Sequence, residues 1–328
     1  MRADAVGIRG RRRESTLAER QNVKMARSAA SYVRGNTRKF YQWLGTSSRD
    51  LIPSGPPVWI CGDCHLGNLG PVTSANGRVE VEIRDLDQTV IGNPAHDLVR
   101  LALSLAIAVR GSNLPGVTTA RILEQLVEGY TAGLAHPSRR PKKSAIAAPV
   151  QAVLKQALRR KWHQLATENI ENTSPTIPIG ERFWTLSGAE RREVKRIFQA
   201  DDMRRLATCV HYRDEHAEAR VLDAAYWVKG CSSLGRLRYA VLLGIRKHHH
   251  GRERFSLIDI KEAPPPAAPR ARHVKMPRDN ARRVVEGARH LSPFLGQRML
   301  PAQFSGRAVV VRELAPQDLK FGNGSAHL

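Results

Sequence analysis

The stretch WICGDCHLGNLG contains the residue types and spacings with the clearest chemical meaning in this chain. Cys61, Cys64 and His65 have the spacing of a c-type haem attachment site, and the two cysteines alone have the spacing of half a zinc site. Asp63 and Asn68 suit phosphoryl transfer instead, which needs a carboxylate to orient an acceptor hydroxyl and oxygen ligands for Mg²⁺. Residues elsewhere in the chain distinguish these three interpretations.

The remaining cysteines and the N-terminal residues argue against haem and zinc. Cys209 and Cys231 are isolated from each other, whereas a structural zinc site usually has a second close pair of ligands. The N-terminal residues MRADAVGIRGRRRE lack the apolar core of a signal peptide, so we expect a cytoplasmic protein with reduced thiols. Covalent haem attachment normally belongs to exported proteins, and the phosphotransfer interpretation is therefore favoured.

A second group of acidic residues follows the next predicted strand. The alternating stretch RVEVEIRDLD predicts a strand of a hairpin after an Asn-Gly turn, and it ends at Asp85. Asp85 is then the predicted second Mg²⁺ ligand beside Asn68, with Asp87 as a reserve ligand. For Asp63 or Asp85 alone, a turn or helix-capping role is the ordinary alternative. The conjunction of these residues at the ends of successive strands favours the functional interpretation.

Three residues are predicted to support this site. We expect His65 to orient the loop that carries Asp63. Asp97 begins an apolar helix in GNPAHDLVRLAL, where an N-cap is the simplest role. Arg100, on the same helix, is expected to neutralise a nearby carboxylate.

A candidate phosphate-binding turn lies far along the chain, in KGCSSLG, between two strand-like runs. Glycines at such a turn let backbone amides approach phosphate oxygens, and serine hydroxyls can donate as well, although a plain hairpin turn also fits. The residues predicted to bind the nucleotide here are Gly230, Ser232, Ser233 and Gly235.

Lys261 lies in the apolar strand SLIDIKEA. It must reach an anion or the solvent, because burying an unpaired charge is costly. Glu286, in the predicted helix RRVVEGAR, is a candidate partner in the manner of the helix glutamate that orients the phosphate-binding lysine of kinases. Glu262 is the local alternative.

The elements that position these residues indicate an α+β protein in two parts. Residues 1–223 are mainly helical, with a basic insertion near 136–161, and residues 224–328 are rich in strands. In the second part a helix is predicted to begin after Asp279. Helices of the first part are predicted over 17–45, 95–110, 117–134 and 187–207.

The composition is compatible with anionic partners, although an ordinary solvated surface in an Arg-rich proteome also explains its basic clusters. Lys and Arg number 53 against 30 Asp and Glu, which gives a net charge of +23 and an estimated pI of about 10.8. Such a surface attracts nucleotides, nucleic acid or acidic lipids. Nucleic acid is not favoured, because aromatic residues are 5% of the chain and none form a base-stacking ladder among the basic clusters. The longest apolar stretch, 98–109, is too short to span a bilayer.

The motifs resemble those of protein kinases and, more closely, of aminoglycoside phosphotransferases. GDCHLGN and IRDLDQTVIGNPAHDLVRLA match, over residues 62–102, the pattern H-G-D-x-x-x-x-N followed by I-D-[FW], G-[DN]-P and D-L, with Cys61 in place of the His and Ile-Arg before Asp85. The resemblance implies that Asp63 is the catalytic base and that Asn68 and Asp85 bind the metal. It also implies that Asp97 supports the catalytic loop.

The order of the motifs is permuted relative to kinases, since the glycine turn, the lysine strand and the helix follow the catalytic loop. This order, with KMARSAASYVRGNTRKFYQWL, resembles the uncharacterised bacterial family called domain of unknown function 2252, which is grouped with kinase-like folds. The resemblance covers nearly the whole chain. It implies a two-lobed protein-kinase-like fold with the helical catalytic lobe first and the strand-rich nucleotide lobe second. Family members continue beyond VVVRELAPQDL, so we expect a short C-terminal part.

The predicted function is an ATP- and Mg²⁺-dependent phosphotransferase acting on an unknown hydroxyl acceptor. Arg34 and Arg84 are candidates for contact with an anionic acceptor. One alternative is a nucleotide-binding pseudokinase or scaffold without transfer activity. Others are adenylyl transfer by the same metal carboxylates and a basic nucleic-acid-binding protein.

Overall fold

The protein is a mixed α+β structure with antiparallel sheets, which confirms the predicted class. No helix in the part of the chain described is long and apolar enough to cross a membrane. The computed structural model describes residues 10–47, 51–110, 116–136, 148–159, 176–208, 217–230, 233–246 and 253–316.

Ten α-helices lie within the described residues. The predicted helices at 95–110 and 117–134 are confirmed, and α9 is capped by Asp279 as expected. The helices are α1 (Gly10–Ala26), α2 (Ala29–Gly35), α3 (Thr37–Ser47), α4 (Ala95–Arg110), α5 (Gly116–Ala135), α6 (Ala148–Arg159), α7 (Gly188–Ile197), α8 (Asp201–Thr208), α9 (Asn280–Leu291) and α10 (Pro293–Gly296).

Two predicted helices are each divided into shorter helices. Residues 17–45 were expected to form one helix, but Ser28 ends the run by accepting a hydrogen bond from Ser31 N (3.1 Å) and capping α2. In the predicted helix 187–207 the capping box is confirmed, because Ser187 Oγ accepts from Glu190 N (3.2 Å) and Glu190 Oε2 from Ser187 N (2.8 Å). That helix ends at Ile197, and α8 follows it.

Six antiparallel strands form the main sheet, in the spatial order β5-β6-β7-β8-β10-β9. The helix α9 lies between β8 and β9 in the chain. Two smaller sheets pair β1 with β4 and β2 with β3. The strands are β1 (Val58–Ile60), β2 (Leu69–Thr73), β3 (Val79–Ile83), β4 (Val90–Gly92), β5 (Phe183–Trp184), β6 (Glu218–Trp227), β7 (Arg238–Arg246), β8 (Arg254–Glu262), β9 (Met299–Phe304) and β10 (Arg307–Glu313).

The main sheet is buried on both faces. In β7, Tyr239, Val241 and Leu243 join one apolar core together with α7 and α8, while Ala240 and Leu242 join another. Burial on both sides explains why the sequence of β7 is continuously apolar rather than alternating.

The main sheet includes residues before 224, which was the predicted boundary between the helical part and the strand-rich part. The strand β6 begins at Glu218, and β5 pairs with β6. The helix α1 also packs here, since Leu17 is 1% exposed within the core of the sheet. Arg13 pairs with Glu190 at 2.7 Å. The N-terminal helix therefore packs on the strand-rich part of the molecule.

The hairpin β2–β3 is confirmed, with Gly77 in its turn at a φ of 82°. The segment after Ile83, which contains Asp85 and Asp87, follows directly from this hairpin. The helix α9 packs closely against that segment, because a Cβ on Gly287 would lie 2.5 Å from Thr89 Cγ2. A glycine at this position lets the helix and the segment approach each other.

Candidate active site

Most of the side chains predicted to do chemistry line one cleft. The loop after β1, the segment after β3, the β6–β7 turn and β8 all contribute to it. The predicted site residues in its lining are Asp63, His65, Asn68, Asp85, Asp87, Gly230, Ser233 and Lys261.

The loop carrying Asp63 is held by Asp97, in the first turn of α4. Asp97 Oδ2 accepts a hydrogen bond from Cys61 N (2.6 Å), and its Oδ1 accepts one from Gly62 N (2.9 Å). Burial raises the pKa of Asp97 to about 6, against the opposing effect of these two bonds. Asp97 therefore connects the start of α4 to the backbone directly before Asp63, the contact expected of a residue that supports this loop.

Asp63 is paired with Arg100, which confirms that this arginine neutralises a nearby carboxylate. Arg100 Nε and Nη2 both donate to Asp63 Oδ1, at 3.0 and 2.8 Å. Arg100 is 1% exposed, and its Nη2 also donates to Val33 O (2.7 Å). Asp63 Oδ2 has no hydrogen-bond partner among the described residues, so one oxygen of this carboxylate remains available in the cleft.

Asn68 joins the two acidic segments. It lies in a 3₁₀ turn, Leu66–Asn68, and its Nδ2 donates to Asp63 O (2.9 Å) and to Asp85 O (3.3 Å). Arg84 N donates to Asn68 O (2.8 Å). These bonds fix the spacing between the loop after β1 and the segment after β3.

Lys261 reaches across from β8 to both carboxylates of the segment after β3. Its Nζ lies 2.9 Å from Asp85 Oδ1 and 2.6 Å from Asp87 Oδ2. The side chain of Asp85 is 41% exposed, whereas that of Lys261 is 14% exposed. The charged groups thus meet at the wall of the cleft, and Asp85 faces its opening.

The pKa values of this cluster follow from two carboxylates sharing one ammonium group. Burial raises the pKa of Asp87 to about 6, and the charge of Asp85 acts in the same direction. For Asp85 the charge and hydrogen bond of Lys261 outweigh burial and hold its pKa below the usual range. Burial would lower the pKa of Lys261, but the charges of Asp85 and Asp87 outweigh it and raise that pKa.

The expected pairing of Lys261 with Glu286 is wrong. Glu286 lies on α9 with its side chain 41% exposed, near Arg289 (3.8 Å) and His290 (3.9 Å) on the next turn. The local alternative, Glu262, accepts a hydrogen bond from Leu237 N (2.9 Å) instead. Lys261 turns to the acidic segment because two carboxylates lie there within hydrogen-bond distance.

The β6–β7 turn carries part of the predicted glycine motif. Gly230 has a φ of 102°, and a Cβ there would lie 2.1 Å from Ser233 Oγ, so a glycine is required. Ser233 Oγ donates to Lys229 O (3.2 Å). Gly235 has a φ of 90° and lies outside the cleft lining, and Ser232 lies outside the described residues.

His65 is 5% exposed beside the loop. Burial lowers the pKa of its imidazole, so the ring is neutral near pH 7. A Cβ on Gly67 would lie 3.2 Å from His65 Cε1, which shows how closely the ring covers the next turn. The orienting role expected of His65 stays a prediction.

Cys61 and Cys64 are free, buried thiols. A hydrogen bond with Cys64, together with burial, raises the pKa of Cys61 well above its ordinary value. Cys209 and Cys231 lie outside the described residues.

Sequence reasoning missed two buried arginine sites near the cleft. Arg238 donates to Asp259 Oδ1 (3.0 Å) and Oδ2 (2.6 Å). Arg283 of α9 donates to Asp87 O (3.0 Å), to Pro264 O (2.8 Å) and to Thr89 O. The sequence signal available for these sites was a charged residue in an apolar segment. Asp259 lies in the apolar strand SLIDIKEA, and Arg283 lies in the helix NARRVVEGARHL.

The oxygen atoms of the cleft residues can hold Mg²⁺ only together with further oxygen ligands, such as substrate phosphates and water. Among the described residues no three side chains of His, Cys, Asp or Glu form a group able to hold a metal. Mg²⁺ commonly binds one or two carboxylates together with substrate phosphates and water, so it does not need a protein cage. The exposed carboxylate of Asp85 and the side-chain oxygen of Asn68 are ligands of the type that this ion prefers.

One family model matches this chain. It is described as "Uncharacterized protein conserved in bacteria (DUF2252)", and it covers residues 13–325. No curated protein and no solved structure matches the chain.

Proposed function

The chain belongs to the bacterial family DUF2252, and from the residues of its cleft we propose that it is an ATP- and Mg²⁺-dependent phosphotransferase. One observation carries the proposal. Lys261 contacts the carboxylate of Asp85 in the cleft that Asp63 also lines, although Lys261 and Asp85 are 176 residues apart in the chain. Phosphoryl transfer needs these groups together.

The order of the parts supports a kinase-like arrangement with permuted lobes. The glycine turn lies between β6 and β7, and Lys261 lies on β8, the third strand of that run, before α9. In kinases the phosphate-binding lysine also lies on a third strand, after a glycine-rich loop and before a helix. In our proposal the nucleotide lies between the two lobes, with its phosphates near Gly230, Ser233 and Lys261.

In the proposed reaction the acceptor oxygen forms a bond to the γ-phosphorus of ATP. The bond from that phosphorus to the β–γ bridging oxygen breaks, and ADP leaves with the electron pair. Asp63 Oδ2 takes the proton of the acceptor hydroxyl and later returns it to solvent. The contact of Asp63 Oδ1 with Arg100 keeps the carboxylate oriented during this step.

Asn68 and Asp85 are the residues that would hold Mg²⁺, which neutralises negative charge on the phosphate oxygens. Lys261 Nζ donates to both carboxylate oxygens of Asp85, at 2.9 and 3.0 Å. In our proposal the ammonium group moves from Asp85 toward the phosphates when nucleotide binds.

A pseudokinase that binds nucleotide without transfer is the second candidate. It is favoured by one observation, the pairing of Asp63 with the buried Arg100, which engages one oxygen of the carboxylate proposed as the base. The two candidates differ in their products and not in their nucleotide affinity.

Calorimetric titration of ATP with and without Mg²⁺ tests the proposal. We expect Mg²⁺-dependent binding by the wild type, at least tenfold weaker binding by Asp85→Asn, and no change for Glu128→Gln, a control on the exposed surface of α5. Equal binding by Asp85→Asn and the wild type would contradict the proposed metal site.

Product analysis separates the alternatives. Release of ADP with a phosphorylated acceptor indicates phosphoryl transfer, and release of pyrophosphate indicates adenylyl transfer. Nucleotide binding with neither product would favour the pseudokinase.

A further inference from the structure

We propose that the acceptor is a small hydroxyl compound carrying an oxyanion, a carboxylate or a phosphate, and that the guanidinium of Arg34 binds this group. The inference rests on the proposed phosphotransferase function and adds the class of its substrate. It depends on the charges that surround Asp63.

Arg34 lines the cleft near the end of α2 and is only partly exposed. Its guanidinium makes no hydrogen bond or ion pair with any residue that the structure describes. Other arginines of the cleft are engaged: Arg238 and Arg312 both contact Asp259, at 2.6 and 3.3 Å. Arg34 thus presents donors that a ligand can use.

Arg34 is the guanidinium near Asp63 that remains open to a ligand. Asp63 is already paired with Arg100, and Asp97 accepts hydrogen bonds from the backbone of Cys61 and Gly62. The guanidinium of Arg34 is therefore left to attract an anion, and a guanidinium binds carboxylate or phosphate oxygens through parallel hydrogen bonds.

The backbone that carries Arg34 is fixed relative to Asp63. Arg100 Nη2 donates both to Asp63 Oδ1 (2.8 Å) and to Val33 O (2.7 Å), the residue directly before Arg34. One buried side chain therefore sets the position of the proposed base and of the anion-binding residue. An acceptor held by its oxyanion at Arg34 presents its hydroxyl to Asp63 Oδ2 from a defined direction.

Gly67 lies close to both His65 and Arg34. A Cβ at this position would lie 3.2 Å from His65 Cε1 and 3.8 Å from Arg34 Nη1. The imidazole, the backbone of Gly67 and the guanidinium of Arg34 are therefore neighbours in the lining of the cleft.

Titration of inorganic phosphate and of acetate, with and without saturating Mg·ADP, tests the inference. Ionic strength is held constant with chloride, because a chain of net charge +23 attracts anions non-specifically. We expect the wild type to bind one of the two anions while Mg·ADP is bound. Arg34→Gln should weaken that binding at least tenfold, and Arg34→Lys should recover part of it. Phosphate and acetate distinguish the two sources of the oxyanion.

Arg38→Gln is the matched control, since Arg38 is an exposed arginine at the start of α3. We expect it to bind both anions within twofold of the wild type. The inference is overturned if neither anion binds to the wild type, or if Arg34→Gln and Arg38→Gln behave alike.

The same titrations separate this inference from the proposed function. Mg·ADP binding with anion binding independent of Arg34 would refute the acceptor site alone. Arg34-dependent anion binding without any nucleotide binding would refute the phosphotransferase and leave an oxyanion site.

Discussion

The cleft contains two groups of paired charges that differ in burial and in net charge. On one side Asp63, 12% exposed, is paired with Arg100, whose side chain is 1% exposed. On the other side Lys261 contacts Asp85, which is 41% exposed, and Asp87, which is 15% exposed. The first group pairs one carboxylate with one guanidinium, and the second has excess negative charge.

Because of this difference, the two charge groups are suited to different roles. A buried ion pair is hard to break, because a charge left without its partner has to be accommodated away from water. The Asp63–Arg100 pair is therefore suited to hold a fixed geometry. A partly exposed cluster can exchange partners, since water compensates each charge during the exchange. The Lys261 cluster is suited to take up Mg²⁺ and phosphate.

Removing the buried partner should have the largest effect on stability. Arg100→Met leaves Asp63 without its counter-charge and Val33 O without its donor. We expect the free energy of unfolding to fall by about 3–5 kcal/mol, measured by urea denaturation. Arg110→Met, at the exposed end of the same helix, should change it by less than about 0.5 kcal/mol.

A double variant checks the cause of that loss. Asp63→Asn together with Arg100→Met should be more stable than Arg100→Met alone, because no buried charge is left unpaired. A loss below about 1 kcal/mol for Arg100→Met would contradict the comparison of the two sides.

Asp97 should give the next largest effect, as a dependence of stability on pH. Its pKa is about 6 in the folded protein, above the usual value of about 3.9 for an unfolded chain. Between these values the folded state holds a proton that the unfolded state has lost, so the contribution of Asp97 to stability falls as the pH rises from about 4 to about 6. The total change is roughly 2–3 kcal/mol.

Asp97→Asn removes this dependence. The stability of the wild type relative to Asp97→Asn should therefore fall across that pH range and become constant above it. Urea denaturation of both proteins at several pH values measures the difference. Parallel curves would mean that Asp97 titrates normally and that its contact with the loop does not depend on its charge.

Lys261→Met should affect stability less and binding more. Asp85 is partly hydrated, so we expect a loss of roughly 1–2 kcal/mol in the free energy of unfolding. Binding of ATP with Mg²⁺ should weaken at least tenfold, because the phosphates lose a cation. Binding of Mg²⁺ without nucleotide should instead become tighter, since Lys261 no longer competes for Asp85. Calorimetry measures both changes, and a decrease in both affinities would contradict the exchange of partners.

Much of the fold could be predicted from hydrophobic patterns and caps. The hairpin β2–β3, the helices α4 and α5 and the capping box of α7 follow from the local sequence. The division of the N-terminal helical region and the packing of Leu17 in the core of the sheet could not be predicted, because they depend on contacts between segments far apart in the chain. The kinase-like order of the two lobes stays a prediction.

The candidate site shows the same limit. The sequence identified the residues Asp63, Asn68, Asp85 and Lys261, and the structure brings them to one cleft. Their partners were harder to find. A lysine in a strand has many carboxylates within its reach, and only the packing of β8 against the acidic segment selects among them. The catalytic and metal-binding roles stay predictions.

The smallest effect is expected at Glu286, the residue that sequence reasoning assigned to Lys261. Its side chain is exposed, and its carboxylate lies 3.8 Å from the Arg289 guanidinium and 3.9 Å from the His290 ring. Because such exposed contacts are weak, Glu286→Gln should change the free energy of unfolding by less than about 0.5 kcal/mol. Its affinity for ATP with Mg²⁺ should equal that of the wild type, because the charge of Lys261 is balanced by Asp85 and Asp87 instead. Calorimetry and urea denaturation measure both quantities. A loss of nucleotide affinity as large as that of Lys261→Met would mean that α9 rotates on nucleotide binding to bring Glu286 to the lysine, and the cluster on the acidic segment would then belong to the nucleotide-free protein alone.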